Sequence, residues 1–97
     1  MKIVTWNVQW FLGLDGRVDP ARVIAHARSL ADFDVLCVQE LADNFPDPRL
    51  EGNDDGDGFA RLAALLPGYT VVHGVGSDHP ADDGRRRRFG NAIASTI

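Results

Sequence analysis

With a single cysteine, Cys37, this sequence cannot form an internal disulfide, and a reducing cytoplasmic setting is the expectation. It has no apolar run near the ~20 residues that cross a bilayer. Its opening, MKIVTWNV, lacks the apolar core and small-residue cleavage site of a secretory leader. Neither common Gly-rich phosphate loop occurs, which removes the simplest nucleotide-binding readings. A basic excess is missing too: 10 Lys and Arg stand against 14 Asp and Glu, for a formal charge of −4. That balance argues against general adhesion to nucleic acid. No internal repeat or linker divides the chain. What is present, 97 residues at 44% hydrophobic and 25% charged, fits one small globular domain spanning 1–97.

The order of elements follows from patterning. KIVTWNVQW reads as a first strand, with Val4, Trp6 and Val8 on one buried face. FLGLDGRV reads as a loop. DPARVIAHARSLA announces a helix: Asp19 suits the cap, Pro20 the first helical position, and Val23, Ile24, Ala27, Leu30 and Ala31 make an apolar stripe. FDVLCVQEL is a continuous apolar run, as in strands covered on both faces. Strand, helix and strand in this order imply parallel neighbours joined by a right-handed crossover. A polar loop, ADNFPDPRLEGNDDGDG, precedes a second helix, FARLAALLPGY, stopped by Pro67 and Gly68. YTVVHGV and FGNAIASTI are the third and fourth strands, with GSDHPADDGRRRR read as a long loop between them. The expectation is an α/β domain with a mixed sheet of about four strands and two helices.

Asn7 is the odd residue of the first strand, because asparagine is depleted from strands and costly to bury without partners. The second strand ends in a similar way, on Gln39 and Glu40. If the two are parallel neighbours, Asn7 and Glu40 reach the same carboxyl edge, where open α/β sheets place ligands. A carboxylate there is a hard oxygen donor for Mg²⁺ or Mn²⁺. A neutral carboxamide beside it can orient a phosphate oxygen or a metal-bound water. A plainer account also fits: Asn7 caps a turn and Glu40 leaves the sheet for water.

KIVTWNVQ, DVLCVQE, LLPGYTVVHG and RRFGNAI, in that order, resemble the N-terminal half of the endonuclease/exonuclease/phosphatase family, which includes deoxyribonuclease-like enzymes, abasic-site endonucleases, sphingomyelinases and inositol-phosphate phosphatases. The resemblance implies one half of a two-sheet α/β/β/α sandwich and a metal-dependent phosphoester hydrolase. It implies Glu40 as a ligand to Mg²⁺ or Mn²⁺, and Asn7 as a contact to phosphate or the metal shell. The aspartate that some members carry two residues after the asparagine is Gln9 here. The family continues with an Asp-x-Asn pair and a late Ser-Asp-His that complete the base and metal site, and nothing here matches them in place. The domain is therefore expected to be incomplete and inactive alone. Its phosphoester substrate is left open among nucleic acid, phosphorylated small molecules and lipid headgroups. The alternative is a non-catalytic fragment or interaction module that self-associates through an uncovered sheet face.

Other candidates weigh less. Ser77, Asp78 and His79 spell the late triplet but precede RRFGNAI, and a solvated loop explains them. Asn53, Asp55 and Asp57 imitate a calcium loop, but position 12 is Ala64 rather than a glutamate, so Asp57 as a helix cap is preferred. Within RRRR at 85–88, Arg88 is the candidate for substrate contact. Asn91 repeats the asparagine-in-strand oddity and is a candidate to support the site. His26 and His73 read as surface and half-buried residues, and Cys37 as packing.

Overall fold

The computed structural model describes residues 1–52 and 56–97. Strands β1 (Ile3–Asn7), β2 (Val35–Asp43), β3 (Thr70–Pro80) and β4 (Arg86–Ser95) form one mixed sheet in the order β1-β2-β4-β3. Helices α1 (Pro20–Leu30) and α2 (Gly58–Leu65) follow β1 and β2. β1 and β2 are parallel, from Ile3 opposite Val35 to Asn7 opposite Gln39, whereas β4 runs antiparallel to both of its neighbours. The α/β mixed-sheet expectation holds.

Both helices begin where their sequences allow. The Asp19 carboxylate accepts from the Arg22 amide at 3.1 Å, with Pro20 next to it. Asp57 accepts from the amides of Phe59 and Ala60 at 2.9 and 3.3 Å. These bonds satisfy amides that a helix start leaves open, each worth about 1 kcal/mol. Gly58 lets α2 start against the sheet, since a Cβ there would lie 2.6 Å from the Ala42 carbonyl oxygen.

The helices cover one sheet face. Ile24 and Ala27 of α1 and Phe59 and Leu62 of α2 pack with Leu36, Val38, Leu41, Ala92 and Ala94, all buried. Val4 and Trp6 close the edge of this cluster. Buried side chains of this size contribute about 1.5–3 kcal/mol each. Because strand residues alternate faces, the other side carries Ile3, Thr5, Asn7, Cys37, Gln39, Val72, Asn91 and Ile93. Ile3, Val72 and Ile93 there are 62%, 63% and 50% exposed, so no element among the described residues covers this face.

One sequence expectation is corrected. The segment read as a long loop is a β-hairpin: Ser77–Pro80 pairs with Arg86–Phe89 around a turn at 81–85. The turn is closed by the Ala81 amide donating to the Arg85 carbonyl at 2.8 Å, with the Asp83 carboxylate accepting from the Arg85 amide at 2.9 Å. The arginines of this run alternate across a strand: Arg86 and Arg88 meet carboxylates, and Arg87 between them turns to the open side.

Candidate functional site

The site is built where β1 ends and β2 bends. After Asn7 the chain enters a tight 3₁₀ turn at Gln9–Phe11, in which all three residues have positive φ, between 45° and 65°. Left-handed backbone costs a non-glycine residue on the order of 1 kcal/mol or more, so neighbours must hold it. Val8 and Phe11 do so by burial in the core. Asn7 does so through its side chain, whose Oδ1 accepts from the Gln9 amide at 3.1 Å. The turn-capping account of Asn7 is thus realised. It also fixes which way the carboxamide points: Oδ1 serves the turn, and among the described residues the amide nitrogen makes no hydrogen bond.

β2 bends at the same level. Val38 pairs with Ala92 and Leu41 with Gly90, so β2 uses Gln39 and Glu40 where β4 uses only Asn91. In this bulge Glu40 has φ +60°, a conformation that glycine would adopt more cheaply. Gln39 bridges to β1, its Nε2 donating to Thr5 Oγ1 at 3.2 Å. Since Asn7 stands opposite Gln39, the structure brings Asn7, Glu40 and Asn91 to one level across three adjacent strands. At about 4.8 Å between strands, that rim is roughly 10 Å across. Asn7 and Asn91 are exposed, and Glu40 is half-buried.

Arg88 does not join them. It lies on the helix-covered side, with Nε donating to Asp43 Oδ2 at 2.9 Å and Nη2 to Asp57 Oδ2 at 3.1 Å. Its guanidinium also sits 5.4 Å from the Phe59 ring centroid, and hydrogen bonding to Asp43 raises its pKa. This arginine ties β4 to the start of α2. Asp78 of the Ser-Asp-His triplet is held by Arg86 at 2.8 Å, and the triplet lies in β3 opposite Arg87–Phe89 rather than beside Asn91. Of the calcium-like positions, Asn53 and Asp55 fall outside the described residues, and Asp57 caps α2. His26 stacks edge-on with Trp6, and His73, which the sequence suggested to be half-buried, is exposed against Phe59.

The donor set bears on a metal. Among the described residues no group of three or more His, Cys, Asp or Glu could hold one. The rim offers one carboxylate, Glu40, and two carboxamides. Mg²⁺ keeps most of its waters and binds proteins through one or two carboxylates, so the rim fits a partial site but not an all-protein cage.

A residue set that sequence reasoning missed lies next to the rim. Trp10, Phe45 and Phe89 wall a cleft of about 570 Å³, with Ala42, Ser77 and Arg87 along it. No local pattern could have shown it, because Trp10 arrives through the left-handed turn and Phe45 through the loop after β2. No helix among the described residues is long and apolar enough to cross a membrane.

Neither a protein-family model nor a curated protein matches this sequence. Two solved structures do. One is an endonuclease/exonuclease/phosphatase from Beutenbergia cavernae, similar over 97% of this chain with TM-score 0.71 and 30% identity. The other is an endonuclease/exonuclease/phosphatase family protein from Leptotrichia buccalis, similar over 99% of this chain with TM-score 0.55; its 17% identity shows the fold alone. This chain spans 25% of the first protein and 38% of the second.

Proposed function

From the premise that this chain resembles endonuclease/exonuclease/phosphatase proteins over almost its whole length, we propose that it is part of a divalent-metal-dependent phosphoester hydrolase and carries one edge of the catalytic site. The observation that carries this reading is the convergence of Asn7, Glu40 and Asn91 on one rim, with Glu40 kept in a bulge conformation unfavourable to it. A strained non-glycine residue persists where its side chain is needed.

In this reading Glu40 holds Mg²⁺ or Mn²⁺. An ion held there would supply positive charge for the phosphoryl oxygens of a bound phosphoester. Asn7 donates its amide N–H to a phosphoryl oxygen, since its carbonyl already serves the Gln9 amide. Asn91, across the bulge, supports the same region by hydrogen bonding. Nothing at the rim can act as the general base: the described residues place no histidine there and no second carboxylate. That group belongs to parts that this chain, at a quarter of its relative's length, does not span.

The expected outcome is therefore background turnover of bis(4-nitrophenyl) phosphate by this chain with Mg²⁺ or Mn²⁺. Robust turnover lost in Glu40→Ala would overturn the incomplete-site half of the proposal. Failure of the chain to take up either metal through Glu40 would overturn the rest.

A second reading, an interaction module without catalysis, is favoured by the uncovered face alone. Ile3, Cys37, Val72 and Ile93 make it apolar, and none of the residues named on it is charged. Its area is on the order of 600 Å² or more, approaching the ~800 Å² per partner of a standard interface. The apolar stretch of this face, away from Arg87, is self-complementary, and its occupant in this reading is a second copy of the chain.

A further inference from the structure

Beside the rim, and on the same uncovered side of the sheet, lies the aromatic cleft. Phe89 of β4 stands opposite both Ala42 of β2 and Ser77 of β3. Its ring centroid is 6.4 Å from that of Trp10 and 6.2 Å from that of Phe45, tilted at 54° and 78°. The three rings therefore leave faces open to the cleft instead of stacking on one another. At about 570 Å³ the cleft falls in the range of small-molecule sites, about 300–1,000 Å³.

Its charges are arranged for an anionic ligand with a flat apolar part. Arg49 is spent on Asp47 through two bonds of 2.9 and 2.8 Å, which also hold the Asp47 carboxyl down at about 2. Arg87 lies 5.9 Å from the Phe45 centroid and is exposed, with no ion pair among the described residues. One guanidinium without an ion pair among the described residues thus stands over the Phe45 ring in the lining of the cleft. Guanidinium forks match phosphate oxygens, and ring faces stack on bases whatever their sequence.

We propose that this cleft takes an unpaired nucleobase from a single strand of nucleic acid, with Arg87 on the adjoining phosphate. This rests on the phosphoester reading of the rim and adds the substrate class to it. The rim is within reach: Trp10 is three residues beyond Asn7, in the turn that Asn7 caps, and Ala42 is two residues beyond Glu40, about 7 Å along the strand. A base held between the rings sets a neighbouring phosphodiester over Asn7 and Glu40. The net charge of −4, and a cleft with one arginine free of ion pairs among the described residues, disfavour an intact duplex, whose affinity rests on many phosphate contacts.

The test is fluorescence anisotropy with a labelled oligothymidylate of about ten nucleotides, in EDTA so that no metal takes part. The parent chain is expected to bind it saturably, and the matching duplex at least about tenfold more weakly. Phe45→Leu and Trp10→Leu each weaken single-strand binding about tenfold, as loss of one stacking platform does. Arg87→Gln lowers the salt slope by about 0.7, the release of one phosphate's counterion. EDTA keeps the metal rim out of this measurement, so failure of the cleft is told apart from failure of metal uptake at Glu40. Binding that is absent, equal in Phe45→Leu and Arg87→Gln, equal for duplex, or displaced by an aliphatic phosphocholine amphiphile below its micellar concentration would overturn the proposal.

Discussion

Glu40 sets a structural cost against a chemical use within one side chain. Its φ of +60° makes glycine the better residue for the fold, so Glu40→Gly is expected to raise stability by up to about 1 kcal/mol in urea unfolding while removing the carboxylate proposed to hold the metal. A variant destabilised by more than about 1 kcal/mol would instead make Glu40 a packing residue. Asn7 and Glu40 were legible in the sequence because a carboxamide and an acid at strand ends break the apolar pattern. Their strain was not legible, since bulges and left-handed turns come from how strands register, not from local propensity. The same holds for Trp10, which in sequence reads as one more strand residue. Two carboxyls, exposed Asp15 and half-buried Asp47, give the molecule an acid limb. Hydrogen bonds from Arg22 and Arg49 hold Asp15 and Asp47 at about 2, below the ordinary 3.8. A depressed carboxyl stabilises the native state above its unfolded pKa and loses that contribution as pH falls through the native one. Melting temperature is therefore expected to fall between about pH 4 and pH 2, and to fall less in an Asp15→Asn, Asp47→Asn double variant.

Among the elements, both helices and all four strands could be read from periodicity, caps and stops, because burial and local preference agree there. The β3–β4 hairpin could not. Its arms carry Asp, His, Pro and three arginines, and their strand form depends on pairings between residues six to twelve positions apart, such as His79 with Arg87. The hairpin bends at Gly90, where an added Cβ would collide with the Gly74 carbonyl oxygen and lie 2.9 Å from the Gly76 amide nitrogen. Gly90→Ala is expected to cost 2 kcal/mol or more, about the upper range for ordinary substitutions, and to expose hairpin amides to hydrogen exchange. Asp57 couples the hairpin to α2, since it caps the helix and also accepts from Arg88. Its loss in Asp57→Ala removes both contacts, for an expected cost of about 1–2 kcal/mol in urea unfolding. The sequence points to Arg88 as the arginine for substrate contact. Alternation along β4 turns it to the helices and turns its neighbour Arg87 to the open face.

Taken whole, the molecule is a slab of 43 × 28 × 19 Å, one sheet and one helix layer thick. Such a slab hides apolar side chains on one side only, which is why Ile3, Val72 and Ile93 remain in water. In the second-copy reading, light scattering finds a dimer, and Ile93→Lys returns a monomer with unchanged circular dichroism. A parent chain that stays monomeric at high concentration would count against that interface. The central claim concerns the rim rather than the face, and paramagnetic broadening by Mn²⁺ tests it most directly, because it locates a bound ion without requiring turnover. Titrated at substoichiometric Mn²⁺, amide resonances near Asn7, Glu40 and Asn91 should broaden first, and Glu40→Gln should abolish the effect. Broadening centred on the acidic residues of 43–57, or unchanged by Glu40→Gln, would contradict the account.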